Sequence, residues 1–434
     1  MIWLGFEHFY ELVKAEKGIV KPFLSVIIPT HNEEKTICKT VDSLLLQDYS
    51  HFEIVIVDDG SDDNTDKKVI DCFGLRPFDM VHNQCTLKYK PIVKIWSVTH
   101  NSVYIYLIQK ESGGKGDALN AGIGFCHGDY FVCVDADCTF STDTLSRLTK
   151  ALSESENVVA VGGRVLPITG LLDFFCQKGF RLREVLQGYQ ELEYGIAFCI
   201  VRPIFGKLGT SMLISGALGL FNKDVVMQLG GYALDTVGED MELVMRIRQV
   251  ASESNEPLEI GYAKSALCFT ELPWKVIDLK KQRIRWTVGL TDVLRKYREM
   301  ATCKKYSFLE KLTFWYYVLF EKFSPHIEFT SLMIWIIFGI VRGFSLAAII
   351  LMIITISLQF LLSVVGSFQP IKNSIRSSEN KFRSILKLLL LMVTFVTIYH
   401  LWHSFCRLIA VPNFRREKRK TNNQGSSWVS PTRM

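Results

Sequence analysis

Asp135 and Asp137 flank a single alanine at the end of an apolar run, Tyr130 to Val134. Two carboxylates at a strand end can hold a hard divalent cation and leave its other positions to phosphate and water. Asp58 and Asp59 close a second apolar run, Glu53 to Val57, and lead into a turn at Gly60-Ser61. They are placed to bind the base and ribose of a nucleotide. Gly113-Gly114-Lys115-Gly116 lets backbone approach phosphate, with Lys115 facing a pyrophosphate; its spacing is not that of a Walker A loop. Gly238-Glu239-Asp240 opens a helix whose apolar positions include Leu243, Val244 and Ile247. A helix N-terminus stabilises the ionised carboxylate, the form a general base needs. Gln282, Arg285 and Trp286 share one face of another helix. Arg285 can grip a diphosphate bidentately, and Trp286 can stack on a sugar ring. Each group alone also fits an ordinary turn or helix start. Together they meet the needs of sugar transfer from a nucleoside diphosphate: a cation for the leaving group, a base for the acceptor hydroxyl, and a platform for the acceptor.

The elements that must position these groups follow from periodicity. Leu24 to Pro29 is a short apolar strand. The helix after it is expected to take Asn32 as its cap, Glu33 and Glu34 in its first turn, and Ile37, Val41, Leu44 and Leu45 on its core face. A strand, a helix and a second strand of this size imply parallel pairing through a right-handed crossover. Residues 65 to 110 are expected to be an insertion with its own strands. Tyr130 to Val134 and Val158 to Val161 are further buried strands. The alternation argues for an α/β domain with ligands at the carboxyl ends of the strands.

The chain has 434 residues, 48% of them hydrophobic, and the long apolar runs are confined to 312 to 411. Ser345 to Gly366 gives 22 residues without a charge and Leu388 to Cys406 gives 19, each long enough to span a bilayer. Phe329 to Val341, at 13 uncharged residues, is long enough only if His326 and Glu328 join it. Leu312 to Phe323 is an expected interfacial helix. Intramembrane ionisable residues tend to face a wet cavity, so Glu328 and Glu321 are candidates to line an acceptor path leading from Trp286. The alternative pairs them with Lys322 or lipid at the headgroup level. Three spans put the C-terminal tail outside and two keep it inside, where its cluster Arg415, Arg416, Lys418, Arg419 and Lys420 belongs. The linker carrying Lys372, Arg376, Lys381 and Arg383 opposes that choice. The net charge of +6 comes largely from this tail and points to a membrane surface, not to nucleic acid. Eleven cysteines with no C-x-x-C form neither a zinc site nor a disulfide framework, which implies a reducing compartment. The expected layout is an amphipathic segment at 1–22, a catalytic domain at 23–305, an interfacial region at 306–328, transmembrane helices at 329–411 and a polar tail at 412–434.

Seven segments in order, SVIIPTHNE (25–33), VDDGS (57–61), GGKGDALNAG (113–122), DAD (135–137), ISGALGLF (214–221), GED (238–240) and QRIRW (282–286), resemble the processive family 2 glycosyltransferases. That group includes cellulose, chitin, hyaluronan and bacterial poly-N-acetylglucosamine synthases. The resemblance implies a glycosyltransferase-A domain in a multi-pass protein of the cell (inner) membrane, with its catalytic part cytoplasmic. It implies a UDP-sugar donor, a growing polysaccharide as acceptor, and Mg²⁺ or Mn²⁺ on Asp137 helped by Asp135. Asp59 would contact the nucleotide and Asp240 would be the base. Gln282, Arg285 and Trp286 would meet acceptor and diphosphate, with Ser215 and Gly216 near the acceptor end. Around 213–245 the likeness is to bacterial members acting on UDP-N-acetylglucosamine. Gly238 stands where many members have threonine. Relatives also carry membrane helices before the catalytic domain, whereas Met1 to Val13 is too short and charged to span, so a truncated chain or a partner membrane subunit is implied. Competing readings are single-sugar transfer to a polyprenyl phosphate and a catalytically inactive membrane scaffold.

Overall fold

A computed structural model describes residues 21–79, 86–168, 181–254, 258–343, 345–368, 371–372 and 381–410. Most of the segment 1–22, the tail 412–434 with its basic cluster, and Arg376 lie outside the described residues. In chain order the first elements are β1 (Leu24–Thr30), α1 (Ile37–Leu45), β2 (Phe52–Asp58), α2 (Thr65–Phe73), β3 (Arg76–Pro77), β4 (Ile92–His100) and β5 (Val103–Lys110). Then come α3 (Lys115–Phe125), β6 (Tyr130–Cys133), β7 (Cys138–Phe140), α4 (Thr144–Leu152), β8 (Val158–Pro167), α5 (Leu182–Ile196) and α6 (Arg202–Lys207). The series continues with β9 (Gly219–Asn222), α7 (Lys223–Gln228), α8 (Glu239–Ser254), β10 (Glu259–Thr270), α9 (Val276–Lys296) and α10 (Phe308–Tyr316). Three long apolar helices end it: α11 (Ser324–Arg342), α12 (Leu346–Gly366) and α13 (Lys381–Ala410).

The strands form one mixed sheet in the order β3-β4-β5-β2-β1-β6-β9-β8-β10-β7. At its centre β1 runs parallel to β2 and β6, and Thr30 sits opposite Asp58. Every residue of β1 and β2 is buried, because both sheet faces are covered. Val26, Ile28, Ile54 and Ile56 pack with Ile37, Val41 and Leu44 of α1 on one face. Ile27, Val55 and Val57 pack on the other with Ala118 and Leu119 of α3 and Leu243, Val244 and Ile247 of α8. Alternation along each strand thus feeds two cores, and the parallel strands end together beneath the acidic turns.

Several expectations need correction. Asn32 does not cap α1; it sits at φ 58° and its side-chain oxygen accepts from the amides of Asp62 and Asp63, tying the β1 and β2 loops together. α1 starts later, after Thr36. Residues 65–110 are not an insertion, since β5 pairs in parallel with β2 as part of the central sheet. Cys38 and Cys72 form a disulfide between α1 and α2, contrary to a chain without disulfides. The short run Phe329–Val341 becomes a full-length helix because α11 begins at Ser324 and takes in His326 and Glu328. Among the described residues three helices are therefore long and apolar enough to cross a membrane. Leading into them, α10 and the π-helical turn Tyr317–Lys322 bury Phe314 and Tyr317 against Met241 and Met245. The same stretch leaves Leu312, Trp315, Leu319 and Phe320 exposed.

Candidate active site

The chain between β5 and α3 turns through Gly114 at φ 94°, a backbone state that suits glycine alone. Asp59 holds this turn in place. Its carboxylate is fully buried and accepts from the Gly113 amide at 3.0 Å, the Gly114 amide at 2.7 Å and Lys110 Nζ at 2.6 Å. Lys110 Nζ also pairs with Asp117 at 2.6 Å, so one buried ammonium joins the strand end to the start of α3. Asp58 accepts from the Ser61 hydroxyl, and burial pushes its carboxyl up to about 6.

Fixing this turn aims Lys115, the first residue of α3, across the ends of β1 and β6. Its Nζ donates to Asp135 Oδ1 at 2.7 Å. Burial pulls the ammonium's pKa down, but the carboxylates of Asp135 and Asp240 more than offset it, so the pKa stands well above the ordinary lysine value. Lys115 therefore stays charged between the acidic pair and Asp240. Asp135 and Asp137 offer two carboxylates, and among the described residues no three His, Cys, Asp or Glu converge as a closed metal cage. That donor set fits a divalent cation sharing its coordination with diphosphate and water.

Asp240 lies in the first turn of α8, and Gly216 N donates to its Oδ2 at 3.1 Å. A Cβ at position 216 would stand 2.5 and 2.6 Å from the two carboxylate oxygens and 2.7 Å from Lys115 Nζ. Glycine is thus the residue that lets Asp240 and Lys115 approach the backbone. Burial raises the Asp240 pKa, with Asp135 adding to the rise, while Lys115, the Gly216 amide and Arg285 oppose it. Its neighbour Glu239 is pushed up by burial and by Asp240.

The helix α9 meets the start of α8 at a glycine pair. A Cβ on either Gly238 or Gly289 would come within about 3 Å of the other's backbone, so the two segments touch main chain to main chain. This contact brings Gln282, Arg285 and Trp286 onto the wall facing Asp240. Arg285 and Trp286 are exposed, the indole at 42%. Gln282 Oε1 is buried without a hydrogen-bond partner among the described residues, and Gln282 lines the same cavity. The cavity measures about 680 Å³. Its wall runs from Lys115, Asp135, Asp137 and Asp240 past Trp286 to Glu321, Glu328 and His400.

The model of the family "Glycosyl transferase family 2" matches residues 25–84 and 92–225, the stretch that holds every strand of the sheet but β10, the glycine turn and the acidic pair. This chain carries a family 2 glycosyltransferase domain. The glycosyltransferase is 26% identical over 317 residues to a poly-beta-1,6-N-acetyl-D-glucosamine synthase of Staphylococcus epidermidis, covering 72% of this chain and 64% of that one. With the synthase of the same name from Staphylococcus aureus strain COL it shares 25% over 274 residues, 62% of this chain and 55% of the other. The chain thus spans less than two thirds of the length of these relatives. Its fold is shared with the mannosyltransferase PcManGT of Pyrobaculum calidifontis, solved with GDP-Man and Mn²⁺, at a TM-score of 0.52 and 18% identity, covering 95% of this chain and 94% of that one.

Of the residues singled out in the sequence, the glycosyltransferase gathers Lys115, Asp135, Asp137, Ser215, Gly216, Asp240, Gln282, Arg285 and Trp286 around one cavity. Asp58 and Asp59 do not line it; their carboxylates are taken up by Ser61, Lys110 and the glycine turn. Sequence reasoning passed over Lys110, Glu193 and Glu239. Glu239 sits inside a quoted motif and was within reach; Lys110 and Glu193 gain meaning only from partners 51 and 90 residues away.

Proposed function

We propose that this glycosyltransferase is a processive, inverting enzyme that extends a β-linked polysaccharide at the membrane from a UDP-sugar, most specifically UDP-N-acetylglucosamine. The observation that carries this reading is the single cavity in which the acidic pair, Asp240 and the Gln282–Trp286 face meet, and which continues to Glu328 on α11. Similarity to the staphylococcal synthases supports N-acetylglucosamine as the sugar and a growing chain as acceptor.

In this mechanism Trp286 stacks on the terminal acceptor sugar, and Gln282 Oε1 takes a hydrogen bond from one of its hydroxyls. Asp240 removes the proton of the attacking hydroxyl as its oxygen bonds to the anomeric carbon. The bond from that carbon to the diphosphate breaks on the opposite face, which inverts the centre. A divalent cation held by Asp135 and Asp137 would neutralise the departing diphosphate. Lys115 and Arg285 add positive charge on the same side, where it counts most in a dry site. Glu328 accepts from Ser404 at 2.6 Å and pairs with His400 at 3.1 Å, so it turns into the protein rather than to Lys322 or lipid. That orientation supports an acceptor path between α11 and α13.

The test is nucleotide release from a panel of UDP- and GDP-sugars, with and without acceptor, in detergent with Mg²⁺ or Mn²⁺, followed by product sizing. Long products from UDP-N-acetylglucosamine support the reading. A single added sugar on a polyprenyl phosphate would replace it with the single-transfer alternative.

A further inference from the structure

Arg283 is the charged residue of Gln282–Trp286 that the transfer chemistry leaves without a task, and it is buried, with 4% exposure. Its guanidinium does two things. It lies 4.6 Å from the centre of the Trp286 ring, over one face, and it pairs with Glu193 near the end of α5. The same carboxylate oxygen is also reached from α13: the Tyr399 hydroxyl donates to Glu193 Oε2 at 3.0 Å, and His403 Nδ1 stands 3.7 Å from the other oxygen, Oε1. Tyr399 and His403 are one turn apart, with rings stacked at 6.1 Å. One carboxylate therefore joins α5, α9 and the last apolar helix directly behind the exposed indole.

We propose that Glu193 is a positioning residue for the acceptor: it clamps Arg283, which fixes the plane of Trp286, and it ties that plane to α13. A buried guanidinium that loses its carboxylate must reorient toward water, because an unpaired buried charge is costly. An arginine held flat against one face of an indole restricts the ring and leaves the other face for a sugar. Without the clamp, the indole keeps its contact area but loses its fixed orientation. The cost should fall on acceptor binding and on holding the chain between additions, not on donor binding. The link through Tyr399 makes the platform sensitive to where α13 sits. This inference rests on the reading that Trp286 holds the acceptor.

The experiment uses the full chain in detergent with UDP-N-acetylglucosamine and a β-linked N-acetylglucosamine oligomer. It measures KM for each, donor hydrolysis without acceptor, and product length. Trp286→Ala should raise the acceptor KM, and if it does not, the acceptor reading itself fails. Given that rise, Glu193→Gln should raise the acceptor KM about tenfold, the loss of one well-placed contact, and shorten the products. Donor KM and acceptor-free hydrolysis should stay within about twofold of wild type. Glu193→Asp should restore part of the loss, and Tyr399→Phe should shift acceptor KM the same way by less. An unchanged acceptor KM in Glu193→Gln, or equal rises in donor and acceptor KM, overturns the proposal. Where Glu193→Gln does not fold, an unchanged acceptor KM in Tyr399→Phe overturns it.

Discussion

The amide of Gly216 donates to Asp240 Oδ2 at 3.1 Å, and no Cβ fits between that backbone and the carboxylate. The two residues come from motifs 24 apart in the chain and meet only because α8 packs on the face of the sheet to which β9 belongs. Replacing Gly216 with alanine must push Asp240 or Lys115 away. A misplacement of about 1 Å can cost on the order of 10²-fold in rate. Gly216→Ala is therefore expected to lower kcat by about that factor while calorimetry shows donor binding retained. Turnover within a few-fold of wild type would mean that Asp240 has no fixed task there.

Asp240→Asn removes the carboxylate proposed as the base. The expected loss of transfer is about 10²- to 10⁴-fold, with UDP binding intact. The pH dependence follows from the environment of the carboxylate. Burial, with Asp135, raises its pKa. A base works only when deprotonated, so a raised pKa leaves it protonated, and idle, to higher pH than an ordinary carboxylate. The acid limb of kcat/KM should lie above the usual carboxylate pKa of about 4, with activity rising as pH increases. A profile flat down to that value would remove a titrating base from the mechanism.

Asp137→Ala should abolish both activity and the metal dependence of nucleotide binding, because diphosphate then meets only Lys115 and Arg285. Titration of UDP with and without Mn²⁺ reads this directly. Full activity after EDTA treatment would contradict the assignment of the acidic pair.

Lys110→Met leaves Asp59 and Asp117 buried without their shared ammonium. Stranding buried charge in this way costs roughly 3–5 kcal/mol. The melting temperature should fall by several degrees, and donor binding should weaken because the glycine turn loses its anchor. A melting temperature equal to wild type would show that the turn is held by its backbone alone.

What the sequence disclosed, and what it hid, divides by range. The strand at 24–29 and its crossover to 53–57 were legible to within a residue at each end because local periodicity governs them. The acidic pair at 135–137 was legible because a strand end and two carboxylates suffice to suggest it. Asn32 misled, since an Asn before a helical pattern fits a cap, while the structure uses it to bridge two loops. The stretch 65–110 misled because β4 and β5 form a hairpin, and a hairpin does not reveal from sequence that one strand continues the central sheet. Glu193, Lys110 and the Cys38–Cys72 pair depend on partners supplied by the fold, which no local pattern announces. The length of α11 was obscured by Glu328, whose cost inside an apolar helix is met by His400 and Ser404 from α13.

Processive chain extension is the central claim, and product length at early turnover tests it most directly. The purified chain would be given UDP-N-acetylglucosamine, a divalent cation and acceptor in large excess over enzyme, then stopped when only a small fraction of acceptor has reacted. Retention of the growing chain along the cavity from Trp286 to Glu328 predicts long products beside untouched acceptor. A ladder in which most acceptors have gained a single sugar would contradict it.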